Sequence, residues 1–146
     1  MRRKEGFSLV ELLIVLAVMA ALIATITPVA LNAIRKAKAT QVGQNIKTLA
    51  SAFENAVYVN GEAPDSITDL GRDIDTSHYA VYYTQSSGTY TVVVATDQDV
   101  DESTLEGIIS NVVKDTSYSK PSDYEAVGDN TLTNTTFYYR FSFTSY

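Results

Sequence analysis

The stretch Gly6-Phe7-Ser8-Leu9-Val10-Glu11, with the apolar run that follows it, decides the architecture of this chain. Residues 12–34 contain no charged side chain. A helix that crosses about 30 Å of hydrocarbon needs about 20 mostly apolar residues, so this run predicts a membrane-spanning helix. The basic segment 2–4 precedes the run and is expected to stay on the cytoplasmic side. Glu11 does not suit a simple anchor, because a carboxylate at the edge of hydrocarbon is costly without a partner.

These residues resemble the amino terminus of type IV pilins and type II secretion pseudopilins. In that family a short basic leader ends in Gly, a prepilin peptidase cleaves after it, and the new terminal residue, usually Phe, is N-methylated. A Glu lies four residues after that Phe, and a Pro interrupts the apolar helix further on. The resemblance covers about residues 1–58. It implies cleavage between Gly6 and Phe7, methylation of the Phe7 amine, a role for Glu11 in assembly and a helix break at Pro28.

The role that the resemblance implies for Glu11 is a charge pair. Cleavage would leave an α-amine on Phe7 that is largely protonated at neutral pH. The resemblance implies that Glu11 pairs with this amine on a neighbouring subunit. Such a pair is favourable in low dielectric only when both members are present, so loss of either is expected to be costly. The alternative is a single-pass anchor in which Glu11 lies at the level of the headgroups.

An ordinary secretory signal peptide is a second alternative for the amino terminus. Ala37-Lys38-Ala39 has the small-x-small spacing of its cleavage site. This triplet lies too far beyond the apolar core and inside a basic cluster. We therefore expect the apolar segment to be retained in the mature protein.

Residues 7–58 are predicted to form one long helix. Pro28 removes a backbone donor to the carbonyl of Ala24, so residues 23–28 are the expected place for a kink or local melting. The alternative is a kink without a functional role. Gly43 is a second weak point in this helix. An apolar stripe on the later part is predicted to dock on a sheet, and it consists of Val42, Ile46, Leu49, Phe53 and Val57.

The remainder of the chain predicts a small β-rich head, which makes the fold class α+β with an antiparallel sheet. Residues 78–84 and 89–96 read as a β-hairpin, and residues 136–144 read as a strand with alternating apolar and polar side chains. A helix is predicted over residues 102–114, and residues 115–135 are predicted to be a surface loop. The expected division of the chain is a leader (1–6), a transmembrane or filament-core helix (7–34), its amphipathic continuation (35–58) and a globular head (59–146).

Composition limits the chemistry of the chain. The net charge of −6 disfavours a general nucleic-acid surface. The absence of Cys excludes disulfides, although many pilins close their carboxy-terminal loop with one. With a single histidine, His78, and no marked nucleophile, we expect no enzymatic activity and no cofactor.

Three aspartates, Asp97, Asp99 and Asp101, begin like a calcium loop. Gly is missing at the sixth position, and Ile108 occupies the twelfth position, where a bidentate Glu belongs. We therefore expect no metal site, and the preferred interpretation is that Asp101 caps a helix.

The sequence as a whole favours a structural subunit of a type IV pilus or a related filament. It would be inserted in the inner membrane as a prepilin, processed, and polymerised through its amino-terminal helix. The expected partners are further copies of the chain, the prepilin peptidase, the pilus assembly machinery and, before assembly, membrane lipid. The final location would be an extracellular filament, or the periplasm for a pseudopilin. The alternatives are a competence-type pilin, a major pseudopilin of type II secretion, or a monomeric membrane-tethered binding domain.

Overall fold

A computed structural model describes residues 8–145 of the chain. The predicted cleavage site between Gly6 and Phe7, and with it the leader, lies outside the described residues. By its internal contacts the chain divides into two compact units, Met1–Arg35 and Lys36–Tyr146, which we call the first and the second unit.

The long helix is confirmed as α1, which runs from Leu9 to Asn60 and contributes residues to both units. Gly61 ends it in the left-handed conformation, with φ at +77°, and its N–H donates to the carbonyl of Val57 at 2.8 Å. A glycine at this position costs nothing sterically, which is why helices often end this way.

The first unit exposes the apolar side chains of α1 on every side. Among the large apolar residues between Leu9 and Ile34, the exposed fraction ranges from 47% at Leu12 to 73% at Leu9. Because no face is polar, this segment has the character of a helix that is covered by lipid or by other helices. The helix is long and apolar enough to cross a membrane, judged by length and composition.

The second unit is built on a five-stranded antiparallel sheet, which confirms the α+β fold class. The strand order is β3-β5-β2-β1-β4. A short helix, α2, spans Glu102–Ile108, and 3₁₀ turns span Ile67–Asp69 and Val127–Asp129. The strands are β1 (Tyr79–Ser86), β2 (Thr89–Thr96), β3 (Val113–Lys114), β4 (Glu125–Ala126) and β5 (Phe137–Thr144).

The predicted hairpin is confirmed in β1 and β2. Ser87 and Gly88 connect the strands with φ angles of 52° and 83°. Positive φ at both central residues is the signature of the two-residue turn whose twist matches that of the flanking strands.

The core of the second unit lies between α1 and the sheet, and the predicted stripe forms its helical side. All five stripe residues are buried. Phe53, which is fully buried, meets Tyr90 and Phe143 edge-to-face, with ring centroids 6.1 and 6.2 Å apart. Gly43 is buried as well, and α2 packs closely over it: a Cβ added to Gly43 would lie 2.9 Å from Cγ2 of Ile108.

The predicted helix over residues 102–114 is wrong in its second half. α2 ends at Ile108, Ile109 has an extended backbone, and β3 follows and pairs with β5. Gly107, Ser110 and Asn111 are weak helix formers, and the β-branched pair Val112-Val113 favours an extended chain.

The predicted surface loop over residues 115–135 contains structure that the sequence pattern did not predict. β4 adds a short edge to β1, and the amide Nδ2 of Asn130 donates to the carbonyls of Thr76 and Tyr79 at 2.9 and 2.7 Å. The ring of Tyr118 stacks on that of Tyr138, 4.3 Å between centroids, on the sheet face away from α1. Hydrogen bonds and aromatic packing thus hold parts of this segment against the sheet.

Candidate functional site at the start of α1

The first turn of α1 is closed by a reciprocal pair of hydrogen bonds between Ser8 and Glu11. The Ser8 N–H donates to Oε2 of Glu11 at 3.1 Å, and the Glu11 N–H donates to Oγ of Ser8 at 3.2 Å. The carbonyl of Ser8 accepts the first helical bond, from Leu12 N at 3.1 Å. This arrangement is a capping box, in which each side chain satisfies a backbone donor that the helix itself leaves free.

The surroundings of the capping box are apolar. Leu9, Val10 and Leu12 lie beside Glu11 in sequence, and their side chains are about half exposed or more. In a membrane these side chains contact lipid, so the capping box is the polar part of an otherwise apolar helical turn. Hydrocarbon offers the Glu11 carboxyl group no hydrogen bonds. The bond from the Ser8 N–H therefore lowers the cost of placing Glu11 next to lipid.

Further along the first unit, two carbonyls before Pro28 accept hydrogen bonds from threonine hydroxyls. The hydroxyl of Thr25 donates to the carbonyl of Ala21 at 2.9 Å, and that of Thr27 donates to the carbonyl of Ile23 at 2.8 Å. Such back-bonding to the preceding turn weakens and often bends helices. Helical backbone nevertheless continues through residues 23–28, so Pro28 lies inside α1. The predicted break at Pro28 stays a prediction.

Comparison with protein families identifies the start of the chain. Residues 1–27 match the family model described as the prokaryotic N-terminal methylation motif. The chain carries a prepilin-type amino terminus. This motif is the class III signal peptide of type IV pilins and pseudopilins, and with the exposed apolar helix it indicates a pilin-like or pseudopilin-like precursor that inserts in a membrane. The resemblance is confirmed at this level, and proteins of that kind are structural subunits and not known as enzymes.

Neither the curated proteins nor the solved structures yield a match to the chain. The family model ends at residue 27, so the second unit is described by its own geometry alone.

The residues predicted for this site are only partly brought together by the structure. Glu11 lies in the first turn of α1, while Pro28 lies well inside the helix. Gly6 and Phe7 belong to the undescribed residues. Sequence reasoning missed Ser8, although Ser followed three residues later by Glu, ahead of an apolar run, is the sequence signature of a capping box.

The three aspartates of the possible calcium loop have separate partners. Oδ1 of Asp97 lies 2.9 Å from Nδ1 of His78, and Oδ1 of Asp99 lies 3.9 Å from the Lys114 ammonium. Asp101 caps α2 by accepting from the Thr104 N–H at 3.2 Å. Hydrogen bonds from the Thr104 hydroxyl and N–H lower the pKa of the Asp101 carboxyl. Within residues 8–145, no group of three His, Asp or Glu side chains is arranged to hold a metal ion.

An open cleft of about 550 Å³ in the second unit is lined by acidic and tyrosine side chains. Its wall includes Tyr83, whose hydroxyl donates to Oε2 of Glu125 at 2.8 Å. Burial and this hydrogen bond raise the pKa of Tyr83 to about 12. The phenol is therefore neutral at physiological pH, where it serves as a hydrogen-bond donor.

Proposed function

We propose that the protein is a structural subunit of a type IV pilus or a related filament. The prepilin is inserted in the inner membrane, cleaved between Gly6 and Phe7, methylated on the Phe7 amine and polymerised through α1. The observation that carries this proposal is the methylation motif on a helix whose apolar side chains are exposed on all sides. Glu11 lies four residues after Phe7, at the spacing of the family.

The exposed surface of the first unit supports polymerisation. Complete burial of a large apolar side chain is worth about 1.5–3 kcal/mol relative to full exposure. The fifteen large apolar side chains between Leu9 and Ile34 are 47–73% exposed, so each leaves roughly half or more of that free energy unused. Lipid covers them before assembly, and packing against the same segment of other copies covers them in a filament. Because this contact joins different surfaces of neighbouring copies, it propagates as an open helix and does not close.

Glu11 supports the proposal because it can form a charge pair with the next subunit. A charge at this depth needs a counter-charge, and cleavage creates one on the Phe7 amine of each incoming subunit. Every subunit therefore offers both an amine and a carboxylate, which is what a repeating contact requires.

We assign a role to each segment of the chain in order. Residues 1–6 are the leader read by the prepilin peptidase, residues 7–34 form the membrane and filament-core helix, residues 35–58 continue it, and residues 59–146 form the head. The partners are other copies of the chain, the peptidase, the assembly machinery and lipid. The final location is the cell surface, or the periplasm for a pseudopilin.

The runner-up function is a major pseudopilin of type II secretion, because the methylation motif is shared by pilins and pseudopilins. A monomeric membrane-tethered binding domain is the candidate of a different class. Electron microscopy of material sheared from the cell surface separates these functions, since only a surface pilus gives long filaments that contain this chain.

The deciding experiment compares wild type with Glu11→Ala and with Asn32→Ala. Asn32→Ala is a matched control because it removes a polar side chain from the same exposed segment without removing a charge. We expect all three proteins in the membrane fraction, processed to a methylated Phe7 by mass spectrometry. Filament yield should collapse only for Glu11→Ala. Normal filament yield from that variant would overturn the charge pair, and an intact Met1 would overturn the processing.

A further inference from the structure

In the proposed function, Glu11 lacks the Phe7 amine as a partner at one stage. Before cleavage, the nitrogen of Phe7 is part of the peptide bond to Gly6, so the amine that is to pair with Glu11 does not yet exist. The precursor must nevertheless place this carboxylate at the edge of hydrocarbon. An unpaired charge in such a position is costly, so something else has to satisfy it during insertion.

The capping box provides a partner at this stage. The Ser8 N–H donates to Oε2 of Glu11 at 3.1 Å, and the box is closed by the Glu11 N–H donating to Oγ of Ser8. Hydrogen bonds to a charged group are worth more than those between neutral groups. Both residues follow the predicted cleavage site, so the bonds survive processing.

We infer that the main-chain N–H of Ser8 is the group that lets Glu11 enter the membrane before the Phe7 amine exists. This inference rests on the proposed function only in placing insertion before cleavage. Ser8 is then a positioning residue: its hydroxyl fixes the first turn, and its N–H holds the carboxylate at the amino-terminal end of α1. A carboxylate has about four lone-pair sites, so an amine can join the Ser8 bond later without displacing it.

The test is a double-mutant cycle on membrane integration of the uncleaved precursor. Ser8→Pro removes the N–H donor, together with the Ser8 hydroxyl, at a position before α1 where no helical hydrogen bond uses that N–H. The ratio of alkali-resistant to alkali-extracted precursor is measured in membranes that lack the peptidase. Leu13→Ser and Leu16→Ser are present throughout, so that integration of the reference chain is incomplete and a decrease can be measured.

We expect Ser8→Pro to lower this ratio about tenfold when Glu11 is present, which corresponds to ~1.4 kcal/mol. The same substitution in the Glu11→Leu background should leave the ratio unchanged, because no charge then needs a donor. Ser8→Thr keeps both bonds and should match the reference. Leu9→Pro controls for the effect of a proline at the adjacent position and should also match it.

An unchanged ratio for Ser8→Pro with Glu11 present would overturn the inference. An equal decrease in both backgrounds would also overturn it, because it would trace the effect to the proline and not to the carboxylate. These outcomes are separate from the proposed function, since precursor integration is measured without cleavage or filaments. Failure of filament assembly alone would leave the coupling between Ser8 and Glu11 intact.

Discussion

Residues 9–34 and residues 39–57 of α1 are both rich in apolar side chains, yet their surroundings within the chain are opposite. In the earlier segment every large apolar side chain is exposed, whereas in the later one a single stripe is buried under the sheet. The later segment has polar faces around its stripe, and the earlier one has none. An apolar stripe is satisfied by one sheet, but a helix that is apolar all round needs cover on all sides. The first unit therefore needs cover from lipid or from other helices, and the second unit provides its own core.

The largest effect is expected from truncating one apolar side chain in each segment and comparing the two variants. Phe53→Ala removes a fully buried ring and should cost about 3–5 kcal/mol of unfolding free energy in the second unit. Leu16→Ala, whose side chain is 59% exposed, should leave that free energy unchanged. Denaturation of the full chain in detergent micelles, followed by tyrosine circular dichroism, measures both. Comparable losses would show that the first unit is also buried by its own chain.

The next test concerns the weak point within the exposed segment. Pro28→Ala restores the backbone donor to Ala24 and removes a penalty of about 3 kcal/mol for proline in a helix interior. We expect slower amide hydrogen exchange over residues 21–28 in micelles. Val29→Ala alters the adjacent side chain without changing the backbone bonds and should not slow exchange. If exchange is already slow in wild type, the predicted break at Pro28 is wrong.

A smaller effect is expected at the contact between α1 and α2. Gly43→Ala gains up to about 1 kcal/mol in helix propensity, but its Cβ would meet Ile108 at 2.9 Å, and overpacking costs about 1–3 kcal/mol. We expect a net loss of about 1 kcal/mol in the unfolding free energy of the second unit. Relative to Ile108→Ala alone, adding Gly43→Ala should be stabilising.

The matched control for that contact is Gly107→Ala. A Cβ at Gly107 in α2 meets nothing within 4 Å, so this variant should be neutral or stabilising. If Gly43→Ala stabilises as much as Gly107→Ala does, then Ile108 of α2 does not pack closely on Gly43 of α1.

The smallest expected effect is that of calcium, which tests whether the second unit is self-sufficient. We predict no specific site at Asp97, Asp99 and Asp101. Calorimetric titration of the full chain with calcium should give no saturable heat, and the midpoint of thermal unfolding should not shift. Micromolar binding that is abolished by Asp99→Ala would contradict this prediction and favour the pseudopilin alternative.

The elements that sequence reasoning predicted well are those with a periodic pattern. The buried stripe of α1 recurs with helical spacing, and β5 alternates between its two faces, so each pattern fixed its element without knowledge of the fold. β3 and β4 were missed because each is a two-residue strand that exists only by pairing with a neighbour. Local propensity carries no signal for such pairings, since the partner lies far away in sequence.

In the candidate site, too, one feature was predicted from residue spacing and another depended on the fold. The spacing of Glu11 from Phe7 predicted its importance, and its position at the start of α1 follows from the helix. The hydrogen bonds to Ser8 depend on where the helix begins, which sequence patterns locate only to within a few residues. The Ser8–Glu11 spacing was present in the sequence, but its meaning required that Ser8 be the capping residue.

The strand order of the second unit governs the timing of its folding. β5 is the fifth strand along the chain, yet it lies inside the sheet and pairs with β2 along its whole length. The hairpin of β1 and β2 can form early, but its inner edge stays open until β5 arrives from more than forty residues away. Closure over such a separation is slow compared with hairpin formation. During folding the unit therefore passes through a stage with an open, Val-rich edge, and in this stage it is most exposed to pairing with other chains.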